Sequence, residues 1–262
     1  MIYFPQLSSG AISQFPLRRE SGYRTLVNRS FDGREIRLQD LDYFERQWEL
    51  PLELLTDGEW QAIQDLFATT QGRYKSFLFL EPGESLLAWS ENYAEAVWVK
   101  AGVAVTPGID DPFGATAASR LSGAGTLSQV LAIPAKLRYA ASIWGRTTEA
   151  GAALELADGA GQTASAAFAT DGSWRRYTLG TAWTASAAET VAFGVSAPGG
   201  GAVDIYGAQL EAQPTASAYK KTLDQGGVHA GARFATDTLA DQATEPGRHA
   251  SVIRISWTPS QT

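Results

Sequence analysis

The first 80 residues alternate hydrophobic and polar positions, with one helical segment between the alternating runs. Runs at 23–29, 34–38 and 44–52 have the two-residue period of half-buried strands, and Asp32-Gly33 between the first two is a turn signal. A fourth run at 73–80 ends at Glu81-Pro82-Gly83. This part of the chain is predicted to form strands on both sides of a helix.

The helical segment begins at a capping box. Thr56 and Glu59 have the spacing at which the hydroxyl accepts a backbone N–H while the carboxylate reaches back. Hydrophobic residues then follow at the spacing of one helix face, namely Trp60, Ile63, Leu66 and Phe67. Gly72 can adopt the left-handed conformation that ends a helix. The pattern predicts an amphipathic helix at about 57–71.

The middle of the chain contains short hydrophobic runs separated by Gly, Pro and Asp-Gly, and no amphipathic helix of any length is predicted there. At least seven strands are expected, at 98–105, 126–133, 137–146, 152–156, 174–179, 190–196 and 203–210. Short strands at this spacing are typical of an antiparallel sandwich or jelly roll. The fold class is therefore predicted to be mainly β.

The last 40 residues resemble the first block in character. Strands are predicted at 228–234 and 251–257, and the final strand has no sequence neighbour to pair with except the N-terminal block. Charged side chains are also denser in 1–87 than in 88–222. We therefore predict a discontinuous, split β-barrel-like or sandwich domain (1–87 and 223–262) that carries an inserted jelly-roll domain (88–222).

Composition excludes several kinds of chemistry. The chain has no Cys and two His, so a disulfide framework, a thiolate nucleophile and a multi-His metal centre are excluded. A formal net charge of -7 without a basic cluster argues against nucleic-acid binding. No apolar run reaches the roughly 20 residues of a membrane span, and the N-terminus lacks a signal-peptide pattern. A soluble protein that is not inserted in a membrane is expected.

Several motifs of the middle block occur in the order seen in jelly-roll modules inserted in tail proteins of tailed phages and prophages. They begin with Leu86–Tyr93 and Trp98-Val99-Lys100, and they continue with Asp111–Ala118, Tyr139–Arg146, Trp174–Tyr177, Tyr206–Glu211 and Ser217-Ala218-Tyr219. The block resembles these carbohydrate-binding-like modules. The resemblance implies contact with host-surface polysaccharide.

The flanking blocks are similar, through fewer residues, to distal-tail and baseplate-hub proteins of phages. Phe4-Pro5, the strand before the helix, and Gln71-Gly72-Arg73 leading into Phe77–Leu80 carry this similarity. It implies a homo-oligomeric ring, usually a hexamer, that contacts the tail tube, the hub and other baseplate proteins. It also implies a virion protein that is made in the host cytoplasm.

A sugar site needs aromatic faces that stack on a pyranose ring, with polar groups to fix its hydroxyls. Trp183, in polar surroundings, is the leading candidate, followed by Trp98 and Tyr139. Trp144 and Trp174 are further candidates, but for these two, as for Trp98 and Tyr206, a position in the sandwich core is the favoured alternative.

Basic residues of the first block are candidates for contacts between ring subunits. They are Arg18, Arg19, Arg29, Arg34 and Arg37. The alternative is a solvated strand face whose charges are balanced by Glu20, Asp32 and Glu35. Both interpretations are open at the level of sequence.

No cofactor is predicted, and no catalytic residues are assigned. A structural calcium ion would need oxygen ligands from residues such as Asp110, Asp111 and Asp204, but the alternative for Asp110-Asp111 is a turn that caps its own backbone. Gly-x-Ser-x-Gly, His-Glu-x-x-His and a phosphate-binding loop are absent from the sequence. The chain is therefore predicted not to be an enzyme.

The sequence supports one main functional prediction and leaves two alternatives. The main prediction is a structural component of a phage tail tip or baseplate, with an outward jelly roll that contacts glycans. The first alternative is a glycan-binding module or an accessory domain of a carbohydrate-active protein. In the second, the jelly roll is a spacer that contacts other tail proteins and binds no sugar.

Overall fold

The computed structural model describes residues 1–199 and 201–259, so the last three residues of the predicted C-terminal block lie outside it. The chain folds as two compact units. Unit 1 contains Met1, Ser8–Ile12 and Leu80–Val228, and unit 2 contains Ile2–Leu7, Ser13–Phe79 and the chain from His229 onward. Unit 2 is therefore discontinuous in sequence.

Unit 1 contains ten strands in two antiparallel sheets. The strands are β4 (Val99–Ala101), β5 (Ala104–Ile109), β6 (Ala118–Ser122), β7 (Gly125–Leu131), β8 (Arg138–Thr147), β9 (Ala153–Asp158), β10 (Thr163–Ala167), β11 (Arg175–Ala182), β12 (Val191–Ala197) and β13 (Ala202–Glu211). Sheet 1 has the order β10-β9-β12-β7-β4, and sheet 2 has the order β11-β8-β13-β6-β5. The predicted antiparallel sandwich is confirmed, whereas β5, β6 and β10 were not resolved as separate strands by the sequence pattern.

The core of unit 1 is formed by alternate residues of the two sheets. In sheet 1, Leu154, Leu156 and Phe193 are fully buried, and in sheet 2 Ile143 and Ile205 are fully buried. Since successive side chains of a strand point to opposite faces, the residues between them form the two outer faces. Each large buried side chain stabilises the sandwich by about 1.5–3 kcal/mol.

Unit 2 contains a six-stranded antiparallel sheet and one helix. The elements are β1 (Arg18–Arg29), β2 (Glu35–Thr56), α1 (Asp57–Thr70), β3 (Phe77–Leu80), β14 (Val228–Phe234), β15 (Gln242–Glu245) and β16 (Arg248–Trp257). The order is β1-β2-β16-β14-β3, with β15 on β16. The described strands form an open sheet, so unit 2 is not a closed barrel in this part of the chain. The mainly β class is confirmed.

Helix α1 begins and packs as the sequence predicts. The Thr56 hydroxyl accepts from the Glu59 N–H at 3.3 Å, and the Glu59 carboxylate accepts from the Thr56 N–H at 2.8 Å. Trp60, Ile63 and Leu66 are buried. The left-handed stop already begins at Gln71, with φ 55°, one residue before Gly72.

Two features of β2 and β16 bear on the predicted topology. The runs at 34–38 and 44–52 form one continuous strand, not two, because both pair with β1 and the chain between them stays in strand conformation through a register shift. The final strand β16 pairs antiparallel with β2, as predicted, but the premise of that prediction is wrong, because β14 and β15, its neighbours in sequence, pair with it as well. Within residues 1–199 and 201–259, no helix is long and apolar enough to cross a bilayer.

The outer part of the β1–β2 hairpin, residues 20–44, is here called the arm. Leu26 and Leu38 are cross-strand partners, and Ile36 lies on the same face. The exposed fractions of these three side chains are 52%, 50% and 60%, and Phe31 at the turn is fully exposed. The opposite face carries Arg29, Glu35 and Arg37 beside Val27. The arm is therefore an amphipathic two-stranded ribbon whose apolar face is not buried.

His249 links α1 to the last strands of unit 2 through two carboxylates. The Nε2 atom of His249 lies 2.9 Å from Asp57, and Nδ1 lies 3.0 Å from Asp241. Both nitrogens face carboxylates, so the doubly protonated imidazolium fits this position. The contact with Asp57, assisted by Asp241 and opposed by partial burial, raises the pKa of His249 above its ordinary value.

We expect the stability of unit 2 to fall as the pH rises. Because the pKa of His249 is raised in the folded state, its stabilising contribution is complete below the ordinary value and is lost as the pH passes the folded value. Urea unfolding of the full chain at about pH 6 and about pH 8.5 should give the larger free energy of unfolding at the lower pH. His249→Gln should remove most of this difference, and an unchanged difference in the variant would contradict the assignment.

Candidate functional site on the outer face of sheet 2

The outer face of sheet 2 carries two cross-strand rows of large side chains. In the first row, Trp144 of β8 lies between Arg176 of β11 and Tyr206 of β13. In the second row, Arg146 lies beside Asp204, whose other partner is Arg120 of β6. Residues two apart on a strand share a face, so both rows point away from the core, about 7 Å apart.

Trp144 is the centre of what we call the aromatic cluster: Phe113, Trp144, Tyr206 and Tyr219. The Trp144 ring centroid lies 5.5 Å from those of Phe113 and Tyr219 and 5.9 Å from that of Tyr206. The Arg176 guanidinium lies 4.8 Å from the Trp144 ring. Trp144 and both tyrosines are partly accessible, and Phe113 is 68% exposed. The cluster therefore presents aromatic surface to solvent.

A half-buried carboxylate, that of Glu91, holds the two tyrosines in place. The hydroxyls of Tyr206 and Tyr219 both donate to Glu91 Oε1 at 3.0 Å. Burial and these contacts with Glu91 raise the pKa of both phenols, which therefore stay protonated donors. Lys221 pairs with the same carboxylate. These contacts within the protein fix the positions of both rings.

Gly207 allows this packing. It lies in a bulge of β13, where the register with β8 shifts between Tyr206 and Gln209, and its φ is 66°. A Cβ atom at this position would lie 3.1 Å from the Trp144 ring and 3.3 Å from Tyr219. Both the backbone conformation and the close approach therefore require glycine.

The second row forms an open cleft of about 410 Å³, here called the arginine cleft. It is lined by Arg120, Arg146, Thr147, Thr148, Glu149, Gly172, Ala202 and Asp204. Both guanidiniums donate to the Asp204 carboxylate, Arg120 at 2.7 and 3.1 Å and Arg146 at 3.1 and 2.8 Å. Arg146 also lies over Trp174, 4.8 Å from the ring.

The charge of Asp204 is stabilised within this row. Its side chain is 6% exposed, whereas those of Arg120 and Arg146 are 46% and 29% exposed. Burial alone would raise the pKa of Asp204, but the hydrogen bonds from the two guanidiniums outweigh it and lower that pKa. Asp204 therefore holds the two arginines from the buried side of the row. The groups of this row that reach solvent are the two guanidiniums, which are cationic.

The outer face of sheet 1 is chemically different. One cross-strand row across it reads Val99, Ser128, Gly194, Glu155 and Ser165. These side chains are small apart from Val99 and Glu155, and none of them is aromatic or basic. The concentration of aromatic and guanidinium groups is thus a property of sheet 2.

Two of the predicted stacking residues belong to the core. Trp98 is 1% exposed and donates from Nε1 to the Trp89 carbonyl at 3.0 Å, and Tyr139 is fully buried and donates to the Pro134 carbonyl at 2.7 Å. Neither ring presents a face to solvent, so the prediction that Trp98 and Tyr139 stack on a sugar is wrong. Trp183 is half-buried just beyond β11, seven residues from Arg176 and outside the aromatic cluster.

The prediction that Trp144, Trp174 and Tyr206 are core is wrong. All three are only partly buried, and Trp144 and Tyr206 lie on the outer face. The alternation along β8 contains the signal that predicts an outward-facing Trp144. Ser142, Trp144 and Arg146 share one face, and Ala141, Ile143 and Gly145 share the other.

The predicted interface arginines all lie in the exposed β1–β2 hairpin of unit 2. Arg18 pairs with Glu20, Arg34 with Asp32, and both Arg29 and Arg37 with Glu35. Arg19 is exposed as well. These are the acidic partners of the solvated-face alternative, and a contact with another subunit stays a prediction.

The aspartates considered for calcium have other partners. The Asp111 carboxylate accepts the backbone N–H groups of Phe113, Ala115 and Ala117 at 2.8, 3.2 and 3.3 Å, which is the turn-capping alternative. Asp204 is held by two arginines, and Asp110 precedes the capped turn. In the part of the chain that the structure describes, no group of three or more His, Asp or Glu side chains could hold a metal ion.

Comparisons with known proteins give structural likenesses only. No family model and no curated protein matches the sequence. The enzymatically active domain of tailspike protein 4 of bacteriophage CBA120 is similar with 16% identity and a TM-score of 0.38, over 48% of this chain and 21% of that chain.

Two carbohydrate-binding modules are similar to this chain with comparable identities and TM-scores. The xylan-binding domain CBM22-1 of Paenibacillus barcinonensis Xyn10C has 17% identity and a TM-score of 0.37, over 52% of this chain and 97% of that one. TmCBM61, solved with β-1,4-galactotriose, has 18% identity and a TM-score of 0.35, over 48% of this chain and 97% of that one.

Proposed function

We propose that unit 1 is a glycan-binding module whose binding surface is the outer face of sheet 2. The observation that carries the proposal is the position of the aromatic cluster next to the guanidiniums of Arg120 and Arg146 on one face. A pyranose ring presents C–H groups that pack on aromatic faces and hydroxyls that need fixed hydrogen-bond partners. Both kinds of surface are present about 7 Å apart, two residues along the strands of sheet 2.

Preorganisation supports this proposal. The two tyrosines are held by Glu91, and the two arginines by Asp204, through hydrogen bonds within the protein. Side chains that are already ordered lose less conformational entropy when a ligand binds. Such a surface can bind a flexible polymer even when the area of contact is modest.

Phe113→Ala tests the position of the site. The full chain is titrated by calorimetry with soluble xylan, β-1,4-galactan, dextran and polygalacturonate, and the variant is compared on each polymer that binds. Loss of one exposed stacking ring, at about 1.4 kcal/mol, should weaken binding about tenfold.

The matched control is Phe15→Ala. Phe15 is 68% exposed, the same fraction as Phe113, but it belongs to unit 2. The control should bind as the unaltered chain does. The proposal fails if no polymer of the panel binds, or if Phe113→Ala and Phe15→Ala have equal affinity.

The arm favours a second function, that of a structural component of a phage tail tip or baseplate. A two-stranded ribbon is marginally stable alone, and β1 has β2 as its one partner among the described strands. The free edge of β1 and the apolar face of Leu26, Ile36 and Leu38 are both surfaces that a second copy of the chain would cover. We propose self-association through the arm into a ring in the virion, where the ring contacts tail tube and hub proteins.

A further inference from the structure

We infer that the arginine cleft binds the anionic group of an acidic sugar, either the carboxylate of a uronate or a sulfate ester. The inference rests on the proposed function, because the sugar ring that carries the anion would pack on the aromatic cluster. It names the class of glycan that this face accepts.

The first argument is the number of hydrogen-bond donors. A guanidinium has five N–H groups, and Arg120 and Arg146 each use Nε and Nη2 on Asp204. The three N–H groups left on each make no other hydrogen bond within the described residues. Six donors around one cleft match a group with several acceptor lone pairs, as carboxylate and sulfate have.

The second argument is the placement of charge. The Asp204 carboxylate lies beneath the guanidiniums with both oxygens engaged, so it offers little to a ligand. Glu149, at the rim, is the one other acidic residue among the described residues that line the cleft. An anion at the cleft floor would meet two guanidiniums first and Glu149 at the edge.

The third argument is fixed geometry. Arg146 lies over Trp174, and its Nε and Nη2 both donate to Oδ2 of Asp204, so the ring contact and the two hydrogen bonds together fix the guanidinium. Trp144 is two residues away on the same strand face, at about 7 Å. A single saccharide unit can therefore place its ring on the cluster and its anionic substituent in the cleft.

The overall charge makes the inference testable. With a formal net charge of -7, the chain repels polyanions at long range, so affinity for them requires a local site. Calorimetry on the full chain compares polygalacturonate with its methyl ester, and dextran sulfate with dextran. The acidic member of at least one pair should bind at least tenfold more tightly than its neutral partner, and the pair that responds distinguishes the carboxylate from the sulfate ester.

Three variants are expected to change the affinity for the acidic polymer in different ways. Arg146→Gln keeps hydrogen bonding but removes charge, and it should weaken binding of the acidic polymer about tenfold. Glu149→Gln should strengthen the same binding about threefold. Arg175→Gln is the matched control, since Arg175 is an exposed residue of β11 that pairs with Asp171, and it should have no effect.

The outcomes separate this inference from the proposed function. Equal binding of acidic and neutral members overturns the inference and leaves glycan binding intact, whereas absence of binding to every polymer overturns both. Unchanged affinity in Arg146→Gln, or binding of sulfate ion alone as tight as binding of the polymer, also overturns it. If Arg146→Gln does not fold, Arg120→Gln is measured instead, because the Arg120 side chain is 46% exposed.

Discussion

Trp144→Ala should abolish glycan binding by the full chain and also destabilise unit 1. The indole contacts Phe113, Tyr206 and Tyr219, and its removal leaves a gap at the centre of the cluster. For a half-buried tryptophan we expect a loss of about 2–3 kcal/mol in the free energy of unfolding. Affinity should fall at least 100-fold, since the three remaining rings lose their common support.

Two variants show whether the effect comes from the binding face. Trp144→Phe restores a ring and should recover binding to within about tenfold of the unaltered chain. Trp183→Ala removes another half-buried tryptophan of unit 1, but one outside the cluster, and it should retain full affinity. Full binding by folded Trp144→Ala, or loss of binding in Trp183→Ala alone, would place the site elsewhere.

The combined change Leu26→Lys with Leu38→Glu should dissociate the oligomer that we propose for the arm. The two residues are cross-strand partners, so the new side chains form an opposite-charge pair and the hairpin is retained. Burial of two leucines in an interface is worth about 3 kcal/mol, which corresponds to at least 100-fold in the association constant. Sedimentation velocity at about 10–100 µM should show an oligomer that the double variant reduces to monomer.

Val27→Glu is the control for added charge. Val27 lies opposite Arg37, on the other face of the arm, and its exposed fraction of 48% is close to those of the leucines. This variant should sediment as the unaltered chain does. The proposal of self-association through the arm is contradicted if the unaltered chain is a monomer at every concentration. It is also contradicted if the double variant still forms the oligomer.

Local signals of the sequence predicted much of the fold. The capping box at Thr56 and Glu59 and the spacing of Trp60, Ile63 and Leu66 placed α1 almost to the residue, because these signals act within one or two turns. Longer strands were harder. The continuity of β2 through residues 35–56 depends on pairing with β1 and β16, which are partners that lie far away in sequence.

The site was predicted less well than the fold, for a related reason. Whether an aromatic residue faces the core or solvent depends on strand parity, and the alternation Ser142, Trp144, Arg146 contained that information. The convergence of Arg120, Arg146 and Asp204 from three strands has no short-range signal, because those residues lie up to 84 positions apart. Only the register of sheet 2 brings them together.

The most direct test of glycan binding by sheet 2 is to follow the indole N–H resonances of the eight tryptophans by NMR. The full chain is titrated with short oligosaccharides of each polymer in the panel. For the oligosaccharide that binds, the resonances of Trp144 and Trp174 should shift, while those of the buried Trp98 and the distant Trp183 stay in place. Shifts confined to Trp183, or shifts in none of the eight, would contradict a binding site on this face.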